Sequence, residues 1–188
     1  MEYFAEKTYR SKDFQKDKIP FGEYEACSFH NCNFSETSLK EFRFISCTFD
    51  ECNLSNTTLH KTSFQEVVFR HCKMLGLRFD HCDPFGLSFQ FLDCTLNYAS
   101  FYQTKIGGTL FKNTPLLQTD FTECNAEGAT FEQCDLDGAV FEHADLRKAD
   151  FTSSINFSID PENNKIEQAK FSHKSLSGLL QKYRLHII

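Results

Sequence analysis

The chain of 188 residues contains no tryptophan, only two methionines, four prolines and eight glycines. Few breakers combined with 22 phenylalanines exclude a disordered polymer, which is poor in aromatic residues. No run approaches the ~18 apolar residues that a membrane-spanning helix requires. The opening stretch MEYFAEKTYRSKDF lacks the apolar centre of a secretory signal, so a cytoplasmic location is expected. Basic residues are in deficit, 20 against 26 acidic ones for a net charge of −6, which disfavours direct nucleic-acid binding. Neither a glycine-rich phosphate loop nor a Ser-His-Asp or Cys-His arrangement is found. A non-enzyme without metal or cofactor is therefore expected.

What the chain does have is a large apolar residue every five positions. From residue 91 to 151 the centres are Phe91, Leu96, Phe101, Ile106, Phe111, Leu116, Phe121, Ala126, Phe131, Leu136, Phe141, Leu146 and Phe151. In a second frame, Tyr24, Phe29, Phe34, Leu39, Phe44, Phe49, Leu54, Leu59, Phe64, Phe69, Met74 and Phe79 recur in the same way. Phe or Leu occupies 21 of these 25 centres, against about 5 expected from their abundance. Two residues before each centre stands Gly, Ala, Cys, Thr or Val, except at Phe42, Leu77 and Phe89. Five is neither the helical nor the strand period. A large and a small residue two apart both point inward from a nearly extended segment, and four such segments close a square coil of 20 residues.

The units CDLDG, ADLRK, CNLSN and ADFTS resemble the pentapeptide-repeat motif. The resemblance implies an all-β fold, a right-handed quadrilateral parallel β-helix, over residues ~24–151 and more weakly beyond. Within that family the chain is similar in size and acidity to the quinolone-resistance, mycobacterial gyrase-binding and microcin-immunity type. That likeness implies a non-catalytic DNA mimic that binds DNA gyrase or topoisomerase IV, protects against quinolones or toxins, and pairs into a homodimer through its C-terminus. The sequence departs from that type in having no long loop between coils.

The expected organisation is one continuous domain: an N-terminal cap coil (1–23), a first repeat tract (24–83), a frame-shifting break (84–90), a second, acidic tract (91–174) and a C-terminal cap and dimerisation segment (175–188). At the break, Pro84 takes the place of a centre and Pro-Phe-Gly reads as a turn. The tail SLSGLLQKYRLHII sets apolar residues at helical spacing. Leu176, Leu179, Leu180, Tyr183, Leu185, Ile187 and Ile188 are expected to form a helical cap and a dimer contact. All nine cysteines fall two before a centre or its broken counterpart, so they read as small buried hydrophobes rather than zinc or disulfide positions. The histidines, His30, His60, His71, His81 and His143 among them, fall at outward positions on separate turns and read as solvated surface.

Charge is uneven along the chain. Residues 1–90 carry −2, residues 91–151 carry −6 and residues 152–188 carry +2. In the second tract the face of Phe101, Phe121 and Phe141 holds Asp120, Glu123 and Glu142, and the face of Leu96, Leu116 and Leu136 holds Asp135 and Asp137. The face of Phe91, Phe111, Phe131 and Phe151 holds Asp93, Glu132 and Asp150 against Lys112. Only the remaining face, with Lys105, Arg147 and Lys148, is not acidic. At strand spacing the tract is ~16 Å long, a length over which duplex DNA carries ~9 charges, so its acidity is of the same order. Two readings follow: a DNA-like surface of Asp120, Glu123, Glu142, Asp135, Asp137, Glu132 and Asp150 that engages a topoisomerase, or a soluble structural scaffold for an unrelated protein partner.

Overall fold

The computed structural model describes residues 1–186. The period of 20 is met literally. Glu2–Ala5, Gly22–Glu25, Arg43–Ile45 and Ser63–Gln65 form a four-stranded parallel sheet on the first face. Thr8–Arg10, Ser28–His30, Thr48–Asp50, Val67–Arg70, Phe89–Leu92, Leu110–Lys112 and Thr130–Glu132 form a seven-stranded parallel sheet on the second. The third and fourth faces are joined by isolated parallel bridges, such as Asn33 with Asn53 and Ser100 with Asp120.

Each centre is buried, as are the small residues before them apart from half-buried Thr37. On the second face the rings stack in an unbroken column. Phe91–Phe111, Phe111–Phe131 and Phe131–Phe151 lie 5.2, 5.0 and 4.7 Å apart with planes within 15°. Opposite them Phe101, Phe121 and Phe141 stack at 5.2 and 4.8 Å. The two columns meet edge to face, as in the 5.8 Å contact of Phe121 with Phe131 at 89°. Both geometries suit the ring quadrupole. The three large exceptions at the small position have local reasons. Phe42 stands between Gly22 and Thr62, one coil away on either side, and Leu77 between Thr57 and Ala99. Phe89 packs at 5.2 Å from Phe79 and 5.0 Å from Phe91, filling the space left where the break supplies no centre.

Two further sequence preferences have a backbone cause. The Asp or Asn before a centre accepts the amide hydrogen two residues on, as Asp120 does from Thr122 (2.9 Å) and Asn53 from Ser55 (3.1 Å), a side-chain turn that fixes the corner. Inward hydroxyls donate to the carbonyl 23 residues earlier, Thr62 to Leu39 (2.8 Å) and Ser154 to Phe131 (2.6 Å), so no buried side-chain nitrogen or oxygen among the described residues lacks a partner. Most corners then turn through a residue two after the centre in the left-handed region, from Asn113 at φ 48° to Gly108 at 71°.

At the break the register lengthens from 20 to 22, Val67 pairing with Phe89. Residues 83–88 form a turn with Phe85 77% exposed, yet Phe69 still stacks on Phe91 at 5.4 Å. The core is continuous through it. The N-terminal segment is itself a coil, its strands paired to the next in register. At the other end the tail is 3-10 rather than α-helical, over His173–Leu179 and Gln181–Tyr183. Ile187 and Ile188 lie outside the described residues.

Candidate protein-binding surface

The acidic residues of the second tract separate into two groups. Glu132 is held 2.8 Å from Lys112. Asp150 accepts from Thr152 and lies 3.5 Å from Lys170. Asp120, Glu123, Glu142, Asp135 and Asp137 have no cationic side chain within ion-pair distance among the described residues. Their bonds are to neutral donors: Gln103 to Glu123 (2.8 Å), Asn156 to Asp135 (2.9 Å) and the Asp137 amide to Asp135 (3.2 Å). Glu142 and Asp137 are exposed. These five therefore present charge of one sign on the third and fourth faces, which adjoin. Four of them lie along the two faces, and Glu123, at φ 53°, stands at the corner that follows Phe121.

The first face is the reverse. Arg147 binds Asp145 at 2.6 Å and Glu127 at 3.5 Å, Lys148 reaches Glu127 at 2.7 Å, and Lys165 stands 4.0 Å from Asp145. The hydrogen bond from Arg147 holds the Asp145 carboxyl below its usual pKa, and that from Lys148 does the same for Glu127. Sequence reasoning missed Lys170 and Lys165 as partners because both lie beyond the last clear repeat. The signal was there: each stands 20 residues after the aspartate it meets. An apolar side chain beside the unpaired carboxylates was also missed. Val140, 42% exposed, is bridged to Asp120.

The tail corrects one expectation. Among the described residues proposed as a cap, only Leu179 packs against the core, while Leu176, Leu180, Tyr183 and Leu185 are exposed. The tail is held by other contacts. Lys182 binds Asp160 and Glu162, each at 2.7 Å, the Tyr183 hydroxyl donates to Glu162, and Gly178 lies directly on Phe157. The leucines thus face outward from the end of the coil.

All nine thiols are free and buried, and burial pushes Cys47, Cys124 and Cys134 up to about 12, far from a reactive thiolate at neutral pH. The histidines point outward, but three meet carboxylates, His81 lying 3.6 Å from Asp80. His30 and His71 converge on Asp50, at 3.3 and 2.9 Å, and the bond to Asp50 raises the His71 pKa. No group of three or more metal-binding side chains is assembled among the described residues.

Flat four-sided coils with paired large and small inward residues define the class: a quadrilateral parallel β-solenoid. The pattern of the pentapeptide repeat region matches residues 23–101 and 43–118, and that of the pentapeptide repeats, in eight copies, matches residues 116–152. The chain belongs to the pentapeptide-repeat family. Its fold is similar to that of a trypsin-treated variant of QnrB1, a plasmid-mediated fluoroquinolone resistance protein, with a TM-score of 0.72 at 16% identity, over 100% of this chain and 92% of that one. HetL, a pentapeptide-repeat protein involved in heterocyst differentiation regulation in the cyanobacterium Nostoc sp. strain PCC 7120, aligns with a TM-score of 0.52 at 14% identity over 90% and 86% of the two chains. At such identities the likeness is one of fold. No curated protein matches the sequence. No helix among the described residues is long and apolar enough to cross a membrane.

Proposed function

We propose that this is a non-catalytic binding protein whose second tract offers a DNA-like array of carboxylates to a basic groove of a type II topoisomerase, DNA gyrase or topoisomerase IV. The observation that carries the reading is the asymmetry of the tract. Five carboxylates without cationic partners occupy two adjacent faces and the corner after Phe121, while those of the first face are neutralised by Arg147, Lys148 and Lys165. A partner with a positive groove meets a charge density of the same order as a duplex over ~16 Å. The shared fold with a fluoroquinolone resistance protein supports the choice of partner, with protection from quinolones or toxins as the consequence. The outward leucines of the tail serve as a homodimer contact, since exposed apolar side chains grouped at one end mark an association surface.

The test is a gyrase supercoiling assay with added protein, with and without a quinolone. Glu123, Glu142 and Asp137 are changed to Lys. Asp120 and Asp135 are changed to Asn, which keeps the turn-forming acceptor and removes the charge. Wild-type protein should alter the reaction and the variant should not, while as many changes on the charge-balanced first tract should matter little. The second reading, a scaffold for another protein, is favoured by the regulatory role of HetL on the same fold. It predicts no effect on gyrase from either protein.

A further inference from the structure

On the fourth face, neighbouring coils are tied by a repeated pair of backbone bonds. Thr58 donates to Thr37 and Leu39 to Thr58, both at 2.9 Å; Ser100 donates to Leu77 (2.8 Å) and Phe79 to Ser100 (2.9 Å). Between the first and second coils the pair is missing. Neither the Ser38 amide nor its carbonyl has a backbone or side-chain partner among the described residues. The cause lies in the first coil. The Asp13 carbonyl accepts the amides of Lys16 (3.1 Å) and Asp17 (3.0 Å), a tight turn that draws the chain off its rung. The Thr37 hydroxyl then turns to the Phe34 carbonyl three residues back (2.5 Å), instead of reaching the preceding coil as Thr57 does at 2.8 Å.

The result is an open groove of about 690 Å³, within the usual ligand-site range of ~300–1,000 Å³. Ile19, Phe21 and Phe42 give it an apolar wall, with Phe21 46% exposed, and Ser38 sits on its floor. One base and one acid, Lys18 and Glu36, line it, and the stretch of chain leading into it is basic. Residues 7–18 contain Lys7, Arg10, Lys12, Lys16 and Lys18 against Asp13 and Asp17, net +3 in a chain of −6. Lys16 is engaged by Asp13 at 3.1 Å, but Lys18, which lines the groove, has no anionic partner within ion-pair distance among the described residues.

We propose that this groove takes one extended acidic segment of a partner protein as the missing rung. Its backbone pairs with the Ser38 amide and carbonyl, an apolar side chain lodges against Ile19, Phe21 and Phe42, and a carboxylate sits on Lys18. Strand addition of this kind draws affinity from main-chain bonds and specificity from alternate side chains. The charges orient the guest, its acidic end toward Lys18 and away from Glu36.

The experiment uses the full chain and a fluorescein-labelled peptide, TDDIVT, followed by fluorescence anisotropy. Three comparisons accompany it: the basic twin TKKIVT, a copy N-methylated on alternate amides, and the protein variants Lys18→Glu and Ser38→Pro. TDDIVT should bind, its methylated copy should not, and TKKIVT should bind about 5-fold more weakly. Lys18→Glu should invert that preference. Ser38→Pro, which removes an amide hydrogen with no partner in the protein, should lose the peptide and keep the wild-type circular dichroism spectrum. Failure of TDDIVT to bind at millimolar concentration overturns the proposal, and so does binding that survives methylation. Neither arm involves a topoisomerase or the second tract, so this result and that of the gyrase assay stand apart.

Discussion

Truncating Phe131 to alanine removes a ring held by four aromatic neighbours. It is fully buried, stacked on Phe111 at 5.0 Å and Phe151 at 4.7 Å, and edge to face with Phe121 at 5.8 Å and Phe141 at 6.2 Å. Phe→Ala in a core costs ~3–5 kcal/mol. Aromatic pairs add ~0.5–1.5 kcal/mol each beyond buried area, so a ring with four of them belongs at the upper end, ~4–5 kcal/mol. The rungs above and below are held by their neighbours and cannot collapse into the hole without breaking register. Such a loss is a large part of a typical stability of ~5–15 kcal/mol. Urea unfolding followed by circular dichroism measures it, with Phe85→Ala as control. Phe85 is 77% exposed, so its loss should stay within ~0.5 kcal/mol. A Phe131→Ala variant destabilised by less than ~1 kcal/mol would refute the stacked-column account of stability.

Other outcomes follow from particular residues. Gly108→Ala should cost ~1–2 kcal/mol in a urea titration, since φ is +71° with nothing within 4 Å of the added carbon, leaving only the left-handed penalty. Gly178→Ala should release the tail, because the new carbon falls 2.5 Å from the Phe157 ring and carbonyl; proteolysis near residue 178 should become faster than in wild type. Deleting 175–188 should convert a dimer to a monomer by sedimentation, and a full-length protein that is already monomeric would remove the dimer proposal. His71 should titrate above the ordinary 6.5 by NMR, and Asp50→Asn should bring it back. With its folded pKa raised, the stability this pair contributes is fully present below pH 6.5 and fades as pH rises through the folded value.

Most of the solenoid could be read from side-chain periodicity. The 25 centres, the 20-residue register, the inward cysteines and the shift at Pro84 all follow from which residues recur. What periodicity does not report is where backbone bonds are made. Phe14 and Ile19 remain in frame and buried, so nothing in the five-residue pattern shows that the turn at Asp13–Asp17 has unpaired Ser38. Surface chemistry was legible only as far as the 20-residue rule was carried. It brings Asp150 to Lys170 and Asp145 to Lys165, but the frame shift of two at the break conceals neighbours such as His71 and Asp93, 3.9 Å apart and 22 residues distant. The tail lies outside the repeat, and its apolar spacing suited a cap as well as an outward contact. Tethering by Lys182 and Gly178 is what turns the leucines outward.

The third and fourth faces of the second tract are proposed as a charge-driven protein contact, and direct binding to purified gyrase over a salt series tests this most plainly. Binding of the wild-type protein should weaken steadily as salt rises, as screened charge attraction requires, and should vanish in the variant that combines Glu123→Lys, Glu142→Lys, Asp137→Lys, Asp120→Asn and Asp135→Asn. No binding of wild-type protein to gyrase or topoisomerase IV at micromolar concentration, or binding indifferent to salt and to these five changes, would contradict it.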